Sequence, residues 1–282
     1  MTSTAIPHCS LPDGTEVPRL GVGTWHMGED AAKRKAEVAA VRLGLDLGMT
    51  LLDTAEMYGE GGAEEVVGEA IRGRRDEAFV VSKFHPHHAS RRLLPSACDA
   101  SRKRLGIESI DLYLYHWRGN VPLAETVDAL EHLVAAGKIA RWGVSNFDTG
   151  DLEELAGLRG GEKVAADQIL YNLMRRGAEH DLLPWCRARG VAVMAYSPVE
   201  EGRLARHPAL AKVAQRLGAT PAQVALAWLV RQPQVIAIPK AVKPEHVREN
   251  RAAANLVLDA QVLREIDAHF APPRGKTPLE MI

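Results

Sequence analysis

Short apolar runs and longer amphipathic stretches alternate along the chain. The runs begin at Leu20 (LGVGTW), Leu51 (LLDTA), Phe79 (FVVSKF), Ile110 (IDLYLYHW), Ile139 (IARWGVSNF), Val164 (VAADQILYN), Val191 (VAVMAYSP) and Val235 (VIAIPKA). Near-continuous apolar character over so few residues is the pattern of strands buried on both faces. Between the runs, apolar residues recur at helical spacing, as in Ala124–Gly137 and Thr220–Gln232. Thr220 is the expected cap of the latter, with Pro221 at its first helical position. Gly48, Gly106, Gly137, Gly190 and Gly218 fall where helical patterns stop, as glycines that close helices do.

Successive runs start 31, 28, 31, 29, 25, 27 and 44 residues apart, and the last gap holds two helical patterns, Pro208–Leu217 and Pro221–Gln232. Eight strand–helix units predict an α/β fold of the (β/α)8 TIM-barrel type, with residues 1–282 forming a single domain. Asp13-Gly14 signals an N-terminal β-hairpin, expected to cap the barrel floor. One extra helix is expected beyond Asp259, before a short Pro-rich tail. A doubly wound nucleotide fold is the competing architecture. Its G-x-G-x-x-G fingerprint fails here, because Gly21 and Gly23 are followed by Thr24, Trp25 and His26.

Composition narrows the picture. The chain has 282 residues, 35 Lys plus Arg against 36 Asp plus Glu, and a net charge of −1. That balance gives no electrostatic reason to expect nucleic acid or an anionic membrane as partner. No apolar stretch approaches the length of a membrane span. The opening MTSTAIPHCS carries no secretory signal pattern. Cys9, Cys98 and Cys186 form no CxxC and read as free thiols. The expectation is a cytoplasmic monomer. The His85-Pro86-His87-His88 run lacks a supporting carboxylate cluster, so no metal site is expected.

In a barrel, chemistry gathers at the C-terminal ends of the strands. Those ends here carry Asp53 with Tyr58 beyond it, Lys83, His116-Trp117, Ser145-Asn146, Gln168 with Asn172, Tyr196-Ser197, and Lys240. Taken singly, most have a bland reading. Asp53 could cap a helix, Tyr58 could pack in a loop, and His116 could be a satisfied core histidine. Lys83 is harder to dismiss, because a buried ammonium needs a partner and Asp53 on the neighbouring strand supplies one. A phenol is a poor acid, with a pKa near ~10. A nearby ammonium is expected to lower that value. With His116 orienting a carbonyl oxygen, the set suits proton donation to a carbonyl as it is reduced.

These residues stand in segments that resemble the aldo-keto reductase family. They are LLDTAEMYG (Leu51–Gly59), the strand-ending Lys83, LYLYHW (Leu112–Trp117), AGKIARWGVSNF (Ala136–Phe147), QILYN (Gln168–Asn172), AYSP (Ala195–Pro198), IPK (Ile238–Lys240) and Glu249-Asn250. They occur in family order and spacing. The resemblance implies an NAD(P)H-dependent oxidoreductase that reduces a small aldehyde or ketone, dicarbonyls and keto-sugars included, by direct hydride transfer. Tyr58 would be the general acid, assisted by Lys83, Asp53 and His116. NADP(H) is the implied cofactor, with NAD(H) possible. Its implied contacts are Thr24, Trp25, Asp53, Ser145, Asn146, Gln168, Tyr196, Ser197, Pro198, Val199, Ile238, Lys240, Ala241, His246, Glu249 and Asn250. Trp25, Tyr58, His116 and Trp117 would meet the substrate.

The chain departs from the common family pattern in places. Val199-Glu200-Glu201-Gly202 puts two carboxylates near the expected pyrophosphate, where they could repel phosphate, form a salt bridge or face solvent. Ala241 and His246 stand where many members have Ser and a phosphate-gripping Arg, so the NADPH preference is expected to be weaker. Arg118 reads as an exposed rim residue, and the short tail suggests a pocket without a long C-terminal wall. Two other functions fit the scaffold. One is a non-catalytic nicotinamide-binding regulatory subunit, disfavoured because all four catalytic positions are intact. The other is a lyase using Lys83 as a Schiff-base amine, disfavoured by the Asp53 partner that keeps the lysine protonated.

Overall fold

A computed structural model describes residues 5–282 of the chain. Among the described residues ten strands form, β1 (His8–Ser10), β2 (Glu16–Pro18), β3 (Val22–Gly23), β4 (Leu51–Asp53), β5 (Phe79–Phe84), β6 (Leu112–Tyr115), β7 (Trp142–Ser145), β8 (Ala166–Leu170), β9 (Ala192–Tyr196) and β10 (Val235–Ala237). β3 to β10 make one sheet in sequence order, every neighbouring pair parallel. A parallel bridge between Leu20 and Ala237 closes the cylinder. Gly21 N–H donates to the Ala237 carbonyl at 2.9 Å and Gly23 N–H to that of Pro239 at 3.0 Å. The expected (β/α)8 barrel is therefore formed, and each of the eight apolar runs contributes one strand.

The two seam glycines explain the broken fingerprint. A Cβ on Gly21 would lie 2.6 Å from the Leu51 carbonyl oxygen, and one on Gly23 2.6 Å from that of Ile238. Both positions lack side chains because strands approach closely there.

Among the described residues ten α-helices cover the barrel: α1 (Arg34–Asp46), α2 (Gly62–Ala70), α3 (Leu94–Leu105), α4 (Leu123–Ala135), α5 (Thr149–Ala156), α6 (Leu182–Arg189), α7 (Pro208–Leu217), α8 (Pro221–Val230), α9 (Pro244–Ala252) and α10 (Ala260–His269). α7 and α8 fill the long gap before β10. Thr220 caps α8 in a reciprocal box with Gln223, its side chain accepting from the Gln223 N–H. All five helix-closing glycines have positive φ, as read from the sequence. The extra helix α10 starts at its Asp259 cap. Arg176 ties it down, donating to Asp267 at 2.7 Å while stacking over Trp228.

β1 and β2 form the expected antiparallel hairpin. Cys9, Leu11 and Val17 of this hairpin join Leu51, Val81, Leu112, Leu114, Met194 and Ile236 in one buried cluster. The hairpin thus plugs the barrel floor, leaving the opposite rim for chemistry. Among the described residues, no helix is long and apolar enough to cross a membrane.

Candidate active site

Parallel pairing places the ends of β4, β5 and β6 side by side. Lys83 ends the inward face of β5 and is wholly buried. Its ammonium donates to both Asp53 carboxylate oxygens at 2.8 and 2.9 Å, to the Thr54 carbonyl at 2.8 Å and to the Tyr58 phenol oxygen at 3.3 Å. Gln168 Nε2 donates to Asp53 Oδ1 at 2.7 Å. The Tyr58 and His116 rings meet edge to face, 5.8 Å between centroids. The four residues read as one set from the sequence are thus in one place.

Tyr58 is held there by an unusual meeting of loops. It opens a tight turn, Tyr58–Gly61, in which Gly59 lies at φ 56°. That turn packs backbone to backbone on the loop after β3. A Cβ on Gly28 would sit 2.1 Å from the Gly62 carbonyl carbon, so no larger residue fits. The buried Glu37 carboxylate of α1 accepts the Gly28 N–H at 2.9 Å. Trp25, Met57 and Tyr58 are brought to the same cavity by this latch.

Electrostatics divide the roles. Burial disfavours the Lys83 ammonium, but the Asp53 charge and hydrogen bonds outweigh it, and its pKa rises above the ordinary lysine value. The lysine stays charged. For Tyr58, burial raises the phenol pKa and Asp53 adds to this, while Lys83 offsets only part, so the net shift is upward. Lys83 does lower the value, as expected from the sequence, but burial outweighs it and turns the net direction upward. At neutral pH the phenol keeps its proton. Burial, then the Lys83 charge and His85, pull His116 down to about 2, so its imidazole is neutral. Its Nδ1 is buried without a hydrogen-bond partner among the described residues.

A cavity of about 660 Å³ opens over this set. Of the residues proposed from the sequence, Thr24, Trp25, Asp53, Tyr58, His116, Trp117, Ser145, Asn146, Gln168, Tyr196, Ser197, Pro198, Val199, Ile238 and Lys240 line it. Lys83 lies beneath them. Ala241 is buried behind the wall, and His246, Glu249 and Asn250 lie on or along α9 outside the lining. The wall opposite Tyr58 is a connected polar group. The Ser145 hydroxyl donates to the Gln168 carbonyl at 2.8 Å, Asn146 Nδ2 donates to Ser145 Oγ at 3.1 Å, and the Tyr196 hydroxyl donates to Asn146 Oδ1 at 2.9 Å. Asn146 and Ser197 hold positive φ of 60° and 46° there. A hydroxyl, two primary amides and a phenol ring match a nicotinamide carboxamide and ring, and Lys240 adds a cation, so the residues present fit a phosphorylated dinucleotide.

Of the alternatives left open for Glu200, the salt bridge holds: it is buried and ion-paired with Arg175 and Arg203. Arg118 is exposed, as read from the sequence, and turns to Asp151 and Glu154 of α5 rather than lining the cavity. The short tail does form a wall, because Met281 and Ile282 line the cavity. Asn172 lies under the rim, donating to the Ser197 carbonyl at 2.9 Å. Sequence reasoning missed Gly23, His26 and Met57 as lining residues, and Glu201 and Gly202, read as near the pyrophosphate, line the cavity too. His26 had a usable signal, the i, i+3 spacing to Glu29, whose carboxylate lies 2.7 Å from Nδ1.

This barrel, with an acid–amine–phenol–imidazole set at its C-terminal rim, belongs to the aldo/keto reductase family, which matches residues 19–271. The chain is 48% identical over 271 residues to methylglyoxal reductase YeaE of Escherichia coli, covering 94% of this chain and 95% of that one. It is 32% identical to glyoxal reductase of Bacillus subtilis, with 96% of each covered. An aldo/keto reductase from Klebsiella pneumoniae, solved in complex with NADP and acetate, superposes with a TM-score of 0.96 at 48% identity, over 99% of this chain and 100% of that one.

Proposed function

We propose that the chain, acting as one barrel domain, is an NADPH-dependent reductase of small aldehydes, ketones and dicarbonyls. One observation carries this most directly: a protonated phenol, Tyr58, hydrogen-bonded through its oxygen by a buried ammonium. Because Lys83 donates to that oxygen, the phenol's own proton is free for an acceptor in the cavity. Reductase names among close relatives, and NADP bound in a close structural neighbour, support the same reading.

When bound, the nicotinamide supplies a hydride to the carbonyl carbon. Tyr58 gives its proton to the carbonyl oxygen as negative charge develops there. The Lys83 ammonium then stabilises the phenolate left behind, and Asp53 keeps that ammonium charged and aimed. Neutral His116 can donate an N–H to the same oxygen, fixing its direction toward the phenol. Ser145, Asn146 and Gln168 would hold the carboxamide, Tyr196 the ring and Lys240 a phosphate. A Schiff-base role for Lys83 is disfavoured by its raised pKa, since an imine needs the free amine. Reductase relatives likewise speak against a non-catalytic subunit. The test is steady-state oxidation of NADPH by purified protein with methylglyoxal and simple aldehydes, with and without a chelator. Turnover indifferent to the chelator is expected, and no turnover with any carbonyl would overturn the reading.

A further inference from the structure

In the proposed reaction Tyr58 and Lys83 act as a pair, yet they come from different segments. Lys83 lies near the end of β5, and Tyr58 stands in the turn that leads from β4 into α2. Backbone pairing fixes only part of the distance between them. The Glu56 N–H donates to the Lys83 carbonyl at 3.1 Å, and among the described residues no backbone bond ties the chain from Met57 to Gly61 to β5. The turn is not self-supporting either. Gly59, Glu60 and Gly61 all hold left-handed φ, of 56°, 54° and 92°. Glycine takes that conformation freely, but Glu60 holds it only where its surroundings impose it.

Glu64 supplies a tie between the two segments. It is the third residue of α2 and wholly buried. Its Oε1 accepts from the Ser82 hydroxyl at 2.6 Å and its Oε2 from Arg104 Nε at 2.5 Å. Ser82 precedes Lys83 on β5. Successive side chains leave a strand on opposite faces, so Glu64 grips β5 from outside the barrel, one residue from the inward lysine. Arg104, at the end of α3, reaches the other segment. Its stem lies against the Tyr58 turn, where a Cβ on Gly61 would come 2.5 Å from Arg104 Cδ. Its Nη2 also donates to the buried Ser101 hydroxyl oxygen at 3.3 Å. One helical turn on, a Cβ on Gly68 would lie 2.6 Å from the Leu105 carbonyl oxygen. Residues 64 and 68 share a helix face, so α2 is seated on α3 at two successive turns. The contacts close a ring. It runs from Lys83 through Ser82, Glu64, Arg104 and Gly61 back to Tyr58, whose phenol oxygen receives the Lys83 ammonium at 3.3 Å.

A carboxylate is costly to bury, and apolar side chains could seat α2 as firmly. Apolar packing has no direction, however. Hydrogen bonds to an ionised group are short and directional, and here they set where the turn sits along β5. We propose that Glu64 is a positioning residue: through Ser82 and Arg104 it sets the separation of Tyr58 and Lys83. Its effect on rate rests on the carbonyl-reductase reading above.

Single-turnover reduction of methylglyoxal by enzyme preloaded with NADPH gives a first-order constant, which a smaller folded fraction would not change. Glu64→Ala should lower that constant about 10–100-fold, the cost of an ångström-scale misplacement. The NADPH dissociation constant and the steady-state KM for methylglyoxal should stay within about twofold. Glu64→Gln can keep both hydrogen bonds, because its amide accepts from Arg104 and donates to Ser82, and it should recover most of the rate. If Glu64→Ala does not fold, Ser82→Ala takes its place. It cuts only the β5 arm, leaves the buried ion pair whole, and should cost about 3–10-fold, the worth of one hydrogen bond. A crystal structure of the same variant reads the geometry without turnover: Tyr58 Oη should stand farther from Lys83 Nζ than in the wild type. An unchanged single-turnover constant, a loss confined to NADPH affinity, or an unchanged separation would overturn the inference. A wild type that reduces no carbonyl would overturn the proposed function instead, and the crystal separation would still decide for or against the brace.

Discussion

The two sides of the cavity are built by different means. Beneath Tyr58, the charged groups are buried, saturated with hydrogen bonds and set by the register of β4 and β5, with Lys83 making four polar contacts. On the opposite side, Lys240 and His246 are exposed, and Glu201 enters the lining from a strained loop. The difference follows from what each side would do under the proposed function. A proton donor has to be held within a fraction of an ångström of its acceptor, whereas a phosphate grip works by charge and tolerates solvent. Substitutions on the buried side should therefore have large effects, and those on the exposed side small ones.

Tyr58→Phe presses hardest on this contrast. It removes the proton and no bulk, so kcat should fall about 10²–10⁴-fold while the NADPH dissociation constant stays nearly unchanged. Single-turnover reduction and fluorescence titration of NADPH measure the two quantities, and near wild-type turnover would remove Tyr58 from the mechanism. Lys83→Met should abolish activity and also destabilise the fold. It leaves Asp53 buried beside Gln168 without its counter-charge, and breaking a buried pair costs about 3–5 kcal/mol. The wild-type lysine has a raised pKa in the fold. Its contribution is full below the unfolded lysine value and is lost only as pH climbs through the folded one. The stability gap seen by urea denaturation should thus be flat between about pH 6 and 9.

The buried side was also the more legible in sequence. Polar residues ending apolar runs at near-regular spacing are chemically conspicuous, and strand order brings them together without further assumptions. Asp53, Lys83, His116, Ser145 and Gln168 could be placed on one rim by that reasoning. The sign of the Tyr58 shift could not, because it depends on how far burial outweighs an ammonium 3.3 Å away. Nor could the fate of Glu200, whose partner Arg175 lies 25 residues back along the chain. The tail after α10 has no periodicity to reveal its return to the rim.

A second buried acid sharpens the comparison. Asp167 on β8 is as deeply buried as Asp53, and among the described residues neither of its carboxyl oxygens completes a hydrogen bond. Burial pushes its pKa well above the ordinary carboxylate value, with only the nearby Phe147 amide working the other way. Because the folded value is raised, stability is greatest below the unfolded pKa of about 3.9 and falls as pH rises toward the folded one. Asp167→Asn removes this linkage. The stability of the variant relative to wild type should grow by up to about 1.4 kcal/mol per pH unit above pH 4, until the folded aspartate ionises. Parallel pH profiles of the two proteins in urea would show that Asp167 has a partner after all.

The smallest effect belongs on the exposed side, at His246. It sits on α9 one turn before Asn250, and residues four apart share a helix face. Many family members are expected to carry arginine here, facing the 2′-phosphate that distinguishes NADPH from NADH. An imidazole lacks the guanidinium's permanent charge and fork. Since His246 is exposed, the gain from His246→Arg is limited to that of a solvated ion pair, about 0.2–1 kcal/mol or roughly 1.5–5-fold. NADPH binding should tighten by that factor, and the gain should shrink as salt screens the pair. NADH binding should not change, because it offers no phosphate at that position. Equal tightening of both nucleotides would mean that residue 246 acts on the shared part of the cofactor. No change in either would place the 2′-phosphate elsewhere, with Lys240 and Lys243 the next residues to test. A change of more than tenfold would show that this side of the cavity closes around the cofactor far more tightly than its exposure suggests, and the division between a buried chemical half and an open binding half would fail.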